Sequence, residues 1–508
     1  MTDGKRIIII GSGLGGLECA VVLCRHGYKV TVIEKHSKPG GCLQTFVRGA
    51  VRSEDGTRIG GDRFDCGFHY VGSAGKGEPL GVLMDYFGLG DLPWEKLSED
   101  CYDEICFVGD DSVCSSFPHA MGYGNFVDTL VERFPESRNE LQQYVDMMKD
   151  VGDHTFSSFG PHAFNQLFSR SAKSFLEETV PDPRLRDVLS GASLRMELSP
   201  NLPLYVYAQI AGSFIRSAWR LDGGGDSIVH PLCESIKSSG GEILLGLGVV
   251  SIDCDGGYVK GVTLSDGSTL EADIVISDAH PSTTISMVSP GGNLRKAYRR
   301  RMTSLENTTG TFTANVRLKK GAFPYLNRNV YIHKEGADLW NPDPSKTESI
   351  MVYFYPGEDG YSTHIDVMSP MDGKSLSEWK DLPRKKRGDD YEALKKRKWE
   401  ECLALLEIRF PGIRECIDEV YTSTPLTWLS YTGTPDGSAY GIRKDSERVL
   451  ETVISARTPV GGLLLTGQNL NLHGILGVSM SAVLTCGEII GLDTLRGEIF
   501  PSFPEGAR

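Results

Sequence analysis

No stretch of this 508-residue chain stays apolar for the roughly 20 residues that a bilayer-crossing helix requires. A helical membrane span is therefore excluded. No Cys-x-x-Cys pair occurs, and the 12 scattered cysteines form no zinc-spaced set with histidine. No metal site is expected. There is no nucleophile elbow, no evident catalytic triad, no internal repeat and no long low-complexity segment. Positive charge is outweighed as well: the net charge of −14 argues against nucleic acid as a partner. What remains is the composition of an ordinary soluble protein, 40% hydrophobic and 24% charged. The chain is long enough for two or three domains rather than one core.

Two readings compete for the apolar opening. Lys5, Arg6 and Ile7–Ile10 imitate the basic and apolar parts of a secretory signal. The run is then broken by Gly11, Gly13, Gly15 and Gly16. It resumes at helical spacing with Leu17, Ala20, Val21 and Leu23, and Gly27 follows where a helix would end. Lys29–Glu34 reads as a second strand. Strand, glycine turn, helix and strand make one βαβ unit, and the signal peptide is rejected. The cysteines are then expected as reduced thiols in a cytoplasmic protein, most of them as small core residues.

In Gly11-Ser12-Gly13-Leu14-Gly15-Gly16 each spaced glycine has a task. Gly11 permits the tight turn, Gly13 lets the backbone approach a pyrophosphate, and Gly16 allows close helix–strand packing. The free N–H groups at the helix start point at the phosphate. Glu34 lies 23 residues after Gly11, at the end of the second strand. A carboxylate there accepts hydrogen bonds from the ribose hydroxyls and repels a 2′-phosphate, so NADP is not expected. Spacing alone says dinucleotide, and no more.

Further along, periodicity changes. From about Pro79 to Trp219 segments such as "DTLVERFPESRNELQQYVDMMKDVGD" are mostly helical by period, and "HTFSSFGPHAFNQLF" is rich in phenylalanine. At Leu221, "LDGGGDSIVHPLCESIKSSGGEILLG" reads as a turn, a helix capped by Asp226 or Ser227, and a strand at Glu242–Leu245. Strands with tight turns at Asp255-Gly256-Gly257 and Asp266-Gly267 follow, and then the buried strand "ADIVISDA". Strand-like "TFTANVRL" and "SIMVYFYP" and the charged helix "DDYEALKKRKWEECLALLEIRF" belong to residues ~290–440. The last unit has a buried strand at Leu463–Leu465, a turn at Gly467, and Gly474 and Gly477 before a helix to about Ile490.

Four stretches together carry a family resemblance: Gly11–Gly41, "FDCGFHYVG" (Phe64–Gly72), "STPLTWLSYTGTPDGSAYG" (Ser423–Gly441) and "LTGQNLNLHGILGVSMSAVL" (Leu465–Leu484). The chain resembles the phytoene desaturase, carotenoid isomerase and retinol saturase superfamily of FAD proteins over nearly its whole length, with "TPLT…YTGTPDGSAYG" and "TGQN" nearest the saturase-like branch. The resemblance implies an α/β fold: a Rossmann-type FAD-binding domain in three layers (ββα), with an inserted α+β substrate domain. The expected boundaries are 1–75, 220–290 and 441–508 for the FAD domain, and 76–219 and 291–440 for the substrate domain. It also implies that the dinucleotide is FAD. Glu34-Lys35 followed by Gly40-Gly41 continues the flavoprotein pattern, with the Gly-Gly turn along the FAD and Cys42 beside it. Val249 would meet the adenine through its backbone, and Gly467 and Gln468 the ribityl–phosphate region. Gly477, Val478 and Ser479 would start a helix beneath the flavin. Many relatives carry an acid after that first glycine, where this chain has Gln468-Asn469.

With no protein nucleophile in view, the chemistry is expected to be the cofactor's, with the protein supplying orientation and electrostatics. His69 and His473 are the candidate catalytic residues, His69 as a polyene-pocket wall or proton relay and His473 at the flavin edge or the substrate, and Tyr431 and Tyr440 are candidate pocket residues. The expected activity is redox chemistry on the C=C or C–C bonds of a hydrophobic polyene or isoprenoid. The rivals are redox-neutral isomerisation and non-catalytic isoprenoid escort. No second GxGxxG with a following acid is found, so electrons are expected from an unknown donor or acceptor. Pro383–Trp399, with eight basic residues between Arg384 and Lys398, reads as a solvated helix face. A peripheral membrane contact is expected from the substrate class.

Overall fold

Four isoleucines in a row serve two different cores. In the strand β1 (Arg6–Ile10), Ile7 and Ile9 join a cluster built with helices, while Ile8 and Ile10 join one built with a β-meander. A strand sends alternate side chains to opposite faces. All four are at most 6% exposed, and each contributes on the order of 1.5–3 kcal/mol by leaving water. This is why an unbroken apolar run, rather than an alternating one, marks a strand covered on both sides. The computed structural model describes residues 4–49, 51–52, 58–59, 61–109, 113–156, 165–357, 359–384 and 386–500.

Around β1 stands a five-stranded parallel sheet. It adds β2 (Lys29–Glu34), β3 (Glu242–Leu245), β4 (Ile274–Ser277) and β5 (Leu463–Leu465), in the order β3-β2-β1-β4-β5. Helices α1 (Leu14–Arg25), α2 (Asp226–Ser238) and α3 (Gly474–Ile490) cover one face. The antiparallel meander Val249–Asp255, Tyr258–Leu264, Thr269–Glu271 covers the other. These are the three expected layers, drawn from the start, middle and end of the chain.

A seven-stranded mixed sheet forms the second unit. Its order is Cys114–His119, Asp103–Val108, Asn329–Lys334, Ser349–Pro356, Ser362–Met371, Gly310–Leu318 and Ile417–Ser423. Only Asp103–Val108 with Asn329–Lys334 is parallel. Helix Asp389–Arg409 packs Trp399, Cys402, Leu403 and Leu406 on its far face, against Val330, Ile350 and Val367. The near face presents Tyr331 and Met351 to the helices of residues 123–216.

Several local expectations need correction. Helix Pro79–Phe87 packs with α1 and α3, and Leu294, Tyr298 and Met302 pack against the meander. The nucleotide-side core therefore reaches past the boundaries drawn at 75 and 290. Asp226 does not cap α2 from outside: it is the first helical residue, and its carboxylate takes Lys38 Nζ at 2.8 Å and the Thr45 hydroxyl instead. Helix α3 starts at Gly474, so Gly477–Ser479 lie inside it rather than at its start. The basic segment is not a uniformly solvated face, because Arg387 and Lys398 are buried and Lys398 donates to the Lys346 carbonyl at 3.3 Å. Phe159 and Phe164, within the phenylalanine-rich stretch, lie outside the described residues.

Candidate functional site

Open parallel sheets bind ligands beyond the carboxyl ends of their strands. Here those ends deliver Gly11 after β1, Lys35 after β2, Asp278 just past β4, and Gly467-Gln468 just past β5. A cavity of about 420 Å³, within the range of small-molecule sites, opens at that edge and continues to the near face of the seven-stranded sheet.

Backbone builds the first end. Gly11 turns at φ +95°, and its N–H donates to the Ile33 carbonyl at 2.9 Å. A Cβ on Gly16 would collide with the Gly11 carbonyl, so only glycine closes this turn. Gly40, at φ +118°, donates to the Ser12 carbonyl at 2.9 Å. A Cβ on Gly41 would stand 3.2 Å from the Gly13 Cα. The two glycine motifs therefore touch, although 24 positions of sequence separate them at their nearest ends. Glu34 is buried and accepts from the Ser12 N–H at 3.0 Å, the Ser12 hydroxyl at 2.7 Å and the His36 N–H at 2.9 Å. A carboxylate has about four acceptor positions, so one is left for a ribose hydroxyl. Val249 stands beside it, because Leu247 donates to the Glu34 carbonyl at 3.1 Å. Burial pushes the Cys42 thiol up to about 12, which leaves it neutral.

Of the sequence-predicted residues, Gly11, Gly13, Gly15, Glu34, Lys35, Gly40, Gly41, Cys42, His69, Val249, Gln468, His473 and Val478 line this one cavity. Ser12, Gly16, Gly467, Gly477 and Ser479 do not. Ser12 holds Glu34 from behind, and Gly467 backs Gly15, with its Cα 3.0 Å from where a Gly15 Cβ would be. Gly477 packs under Leu472. The Ser479 hydroxyl donates to buried Glu18 at 2.6 Å, away from the cavity wall. With α3 starting one turn early, the free N–H groups facing the cavity belong to Gly474, Ile475 and Leu476.

Side chains build the second end. His69 Nε2 lies 3.1 Å from Asp366, whose other partners are the Tyr355 hydroxyl at 2.9 Å and the Asn315 amide at 2.5 Å. Asp366 is fully buried and His69 nearly so. Met351, Met368 and Thr311 flank them on the same sheet face. Beyond them Arg195 donates to Asp103 at 2.5 Å and to the Tyr70 hydroxyl at 2.6 Å, and Tyr70 meets Tyr331 at 2.7 Å. The Arg195 guanidinium lies 4.0 Å from the Phe214 ring centre. His473 stacks on Tyr440 at 4.1 Å between ring centres. Burial and the Lys444 ammonium push it down to about 3, so it is a neutral imidazole, and its buried Nε2 has no hydrogen-bond partner. Lys444 donates to the carbonyls of Thr452, Asn469 and Leu470 at 2.7–2.9 Å and pins the loop that carries Gln468.

Asp366, Asn315, Arg195, Asp103 and Asp278 were not foreseen. The signal for Asp366 was faint: a lone acid in the alternating strand "THIDVM". Asp278 had a clearer one, an acid directly after a buried strand at the ligand edge.

Fold and cavity together define a Rossmann-type oxidoreductase architecture, with the glycine loop opening on a cavity that a second sheet also lines. Residues 9–87 match the NAD(P)-binding Rossmann-like domain model. A putrescine oxidase variant shares the fold, with a TM-score of 0.64 at 17% identity over 96% of this chain and 99% of that one. All-trans-retinol 13,14-reductase of Danio rerio is 26% identical over 97% of this chain and 87% of its own length. Phytoene desaturase of Fusarium fujikuroi is 26% identical over 75% of this chain and 66% of its own. The chain is similar to the retinol 13,14-reductases over nearly its whole length and to the phytoene desaturase over about three quarters of it.

Proposed function

We propose that the protein is an FAD-dependent oxidoreductase acting on the C=C or C–C bonds of a hydrophobic polyene or isoprenoid, of the carotenoid or retinoid type. The observation that carries this reading is one cavity joining the glycine loop and Glu34 to an apolar, aromatic wall with a buried histidine–aspartate pair. The residues present fit the cofactor. A glycine cradle that no Cβ can enter lies at the first end, and an unpaired His473 Nε2 lies in the wall nearer the second. Gly11, Gly13 and Gly15 would hold the pyrophosphate, Glu34 a ribose hydroxyl, and Gly40-Gly41, Cys42, Val249, Gln468 and Val478 the length of the molecule. When bound, FAD supplies hydride transfer.

The chain's own residues then have defined tasks. The N–H groups of Gly474, Ile475 and Leu476 favour negative charge at the helix start. Met351, Met368 and Phe214 exclude water from an apolar chain. Asp366 orients His69, and His69 holds or delivers the proton that accompanies hydride transfer to a double bond. Electrons enter or leave through a donor or acceptor outside this chain. Among the described residues no helix is long and apolar enough to cross a membrane. We place the protein in the cytoplasm, drawing its substrate from a membrane by peripheral contact.

The test is to reduce the protein-bound flavin with light, without oxygen, and then add all-trans-retinol while following flavin absorbance. The expected result is flavin reoxidation matched by a product two hydrogens heavier. A polyene spectral shift at constant mass, with the flavin still reduced, replaces this reading with isomerisation. No change in either overturns it for that polyene.

A further inference from the structure

We propose that Asp278 is an additional cofactor-site residue, which holds the pyrophosphate loop and meets the bound dinucleotide in its protonated form, so that binding takes up a proton. The inference rests on the FAD reading above.

Three glycines locate the carboxyl group. A Cβ on Gly13 or on Gly467 would collide with it, and a Cβ on Gly15 would stand 3.0 Å from its Oδ1. The backbone N–H groups of Gly13 and Gly16 favour its ionised form. These are the amides at the start of α1, whose own cap, Gly13, has no side chain to satisfy them. The same helix end is what a glycine loop offers to a pyrophosphate. Asp278 lines the cavity together with Gly11, Gly13 and Gly15. An ionised carboxylate and a doubly charged pyrophosphate would thus draw on one positive helix end.

The neighbours do not relieve that conflict. Glu34 at the end of β2, itself an acid, acts electrostatically on Asp278, and Asp278 in turn pushes up Glu18 on α1 and Cys42 after the Gly-Gly turn. Its near neighbour His280, buried and pushed down to about 4, is neutral. Burial already pushes Asp278 up to about 7, with Glu34 adding to it. Two further negative charges nearby act in the same direction. Protonation also changes what the group offers: a carboxylate only accepts, whereas a carboxylic acid donates an O–H, and phosphate oxygens accept strongly. Asparagine is the neutral mimic of that form.

The experiment measures FAD binding to the full-length protein by flavin fluorescence quenching from about pH 6 to about pH 9. Calorimetry near the upper end, in two buffers of different ionisation enthalpy, counts protons. For the wild type we expect uptake of a proton, and affinity that falls by up to about tenfold per pH unit above the Asp278 midpoint. Asp278→Asn should take up none and should keep the wild type's low-pH affinity throughout. Flat wild-type affinity without proton uptake overturns the proposal and leaves the FAD reading standing. A variant that keeps the wild-type slope overturns it too, by giving the proton to another group. Failure of the wild type to bind FAD at any pH overturns both. The wild-type proton count does not depend on how the variant folds.

Discussion

The two ends of the cavity are built from different materials. At the dinucleotide end Gly11, Gly13, Gly15, Gly40 and Gly41 work by having no side chain, and most of that end lies within a few dozen consecutive residues. At the other end His69, Arg195, Asp366 and Met351 work by their side chains, and His69 and Asp366 come together across 297 positions of sequence. A site made of backbone is vulnerable to any added atom. A site made of buried polar side chains is vulnerable to the loss of one partner, because the survivor keeps its desolvation cost.

The largest effect should therefore come at the second end. Arg195→Met leaves Asp103, fully buried, without its cation, and should cost about 3–5 kcal/mol in denaturant unfolding. The double variant Arg195→Met, Asp103→Asn should recover part of it. If the single variant costs nothing, the contrast between the two ends fails there. His69→Ala should lower turnover by about a hundred- to ten-thousand-fold while flavin retention stays at the wild-type level. Equal loss of flavin would show that His69 serves the first end instead. Gly16→Ala forces a methyl group onto the Gly11 carbonyl. It should cost about 1–3 kcal/mol and release flavin, seen as loss of the yellow absorbance on desalting.

A smaller, pH-dependent effect sharpens the same contrast. Glu197, whose Oε2 accepts from the Thr309 N–H at 3.3 Å, is pushed by burial up to about 8. The fold thus binds this proton more tightly than the unfolded chain does. The stability this lends is complete below the ordinary glutamate range and is lost as pH rises through about 8. Glu197→Gln cannot lose it. The variant should gain on the wild type progressively across that window, by up to a few kcal/mol in paired melting curves. Parallel curves would mean that Glu197 is solvated. Last, Met368→Leu keeps volume on the cavity wall and should change stability by under about 1.5 kcal/mol, with its effect confined to substrate KM.

Legibility followed the same division. Glycine spacing, Glu34 and the strand Glu242–Leu245 stood in the sequence because short-range backbone rules write them locally. The start of α3 was misplaced by one turn, since Gly474 and Gly477 both resemble a helix entrance. Asp226 resembled a cap, but Lys38 and Thr45, distant in sequence, claim its carboxylate.

The sequence by itself determined the βαβ opening and, through shared motifs, the Rossmann-type fold and the relatives. Only the tertiary structure decided that His69 is held by Asp366, that Arg195 lies between Asp103 and Phe214, and that Asp278 sits under the glycine loop. Local pattern records backbone geometry because each residue's φ/ψ depends on its near neighbours. Hydrogen-bond partners across sheets depend on register and topology, which fix the meeting of residues that no local pattern relates.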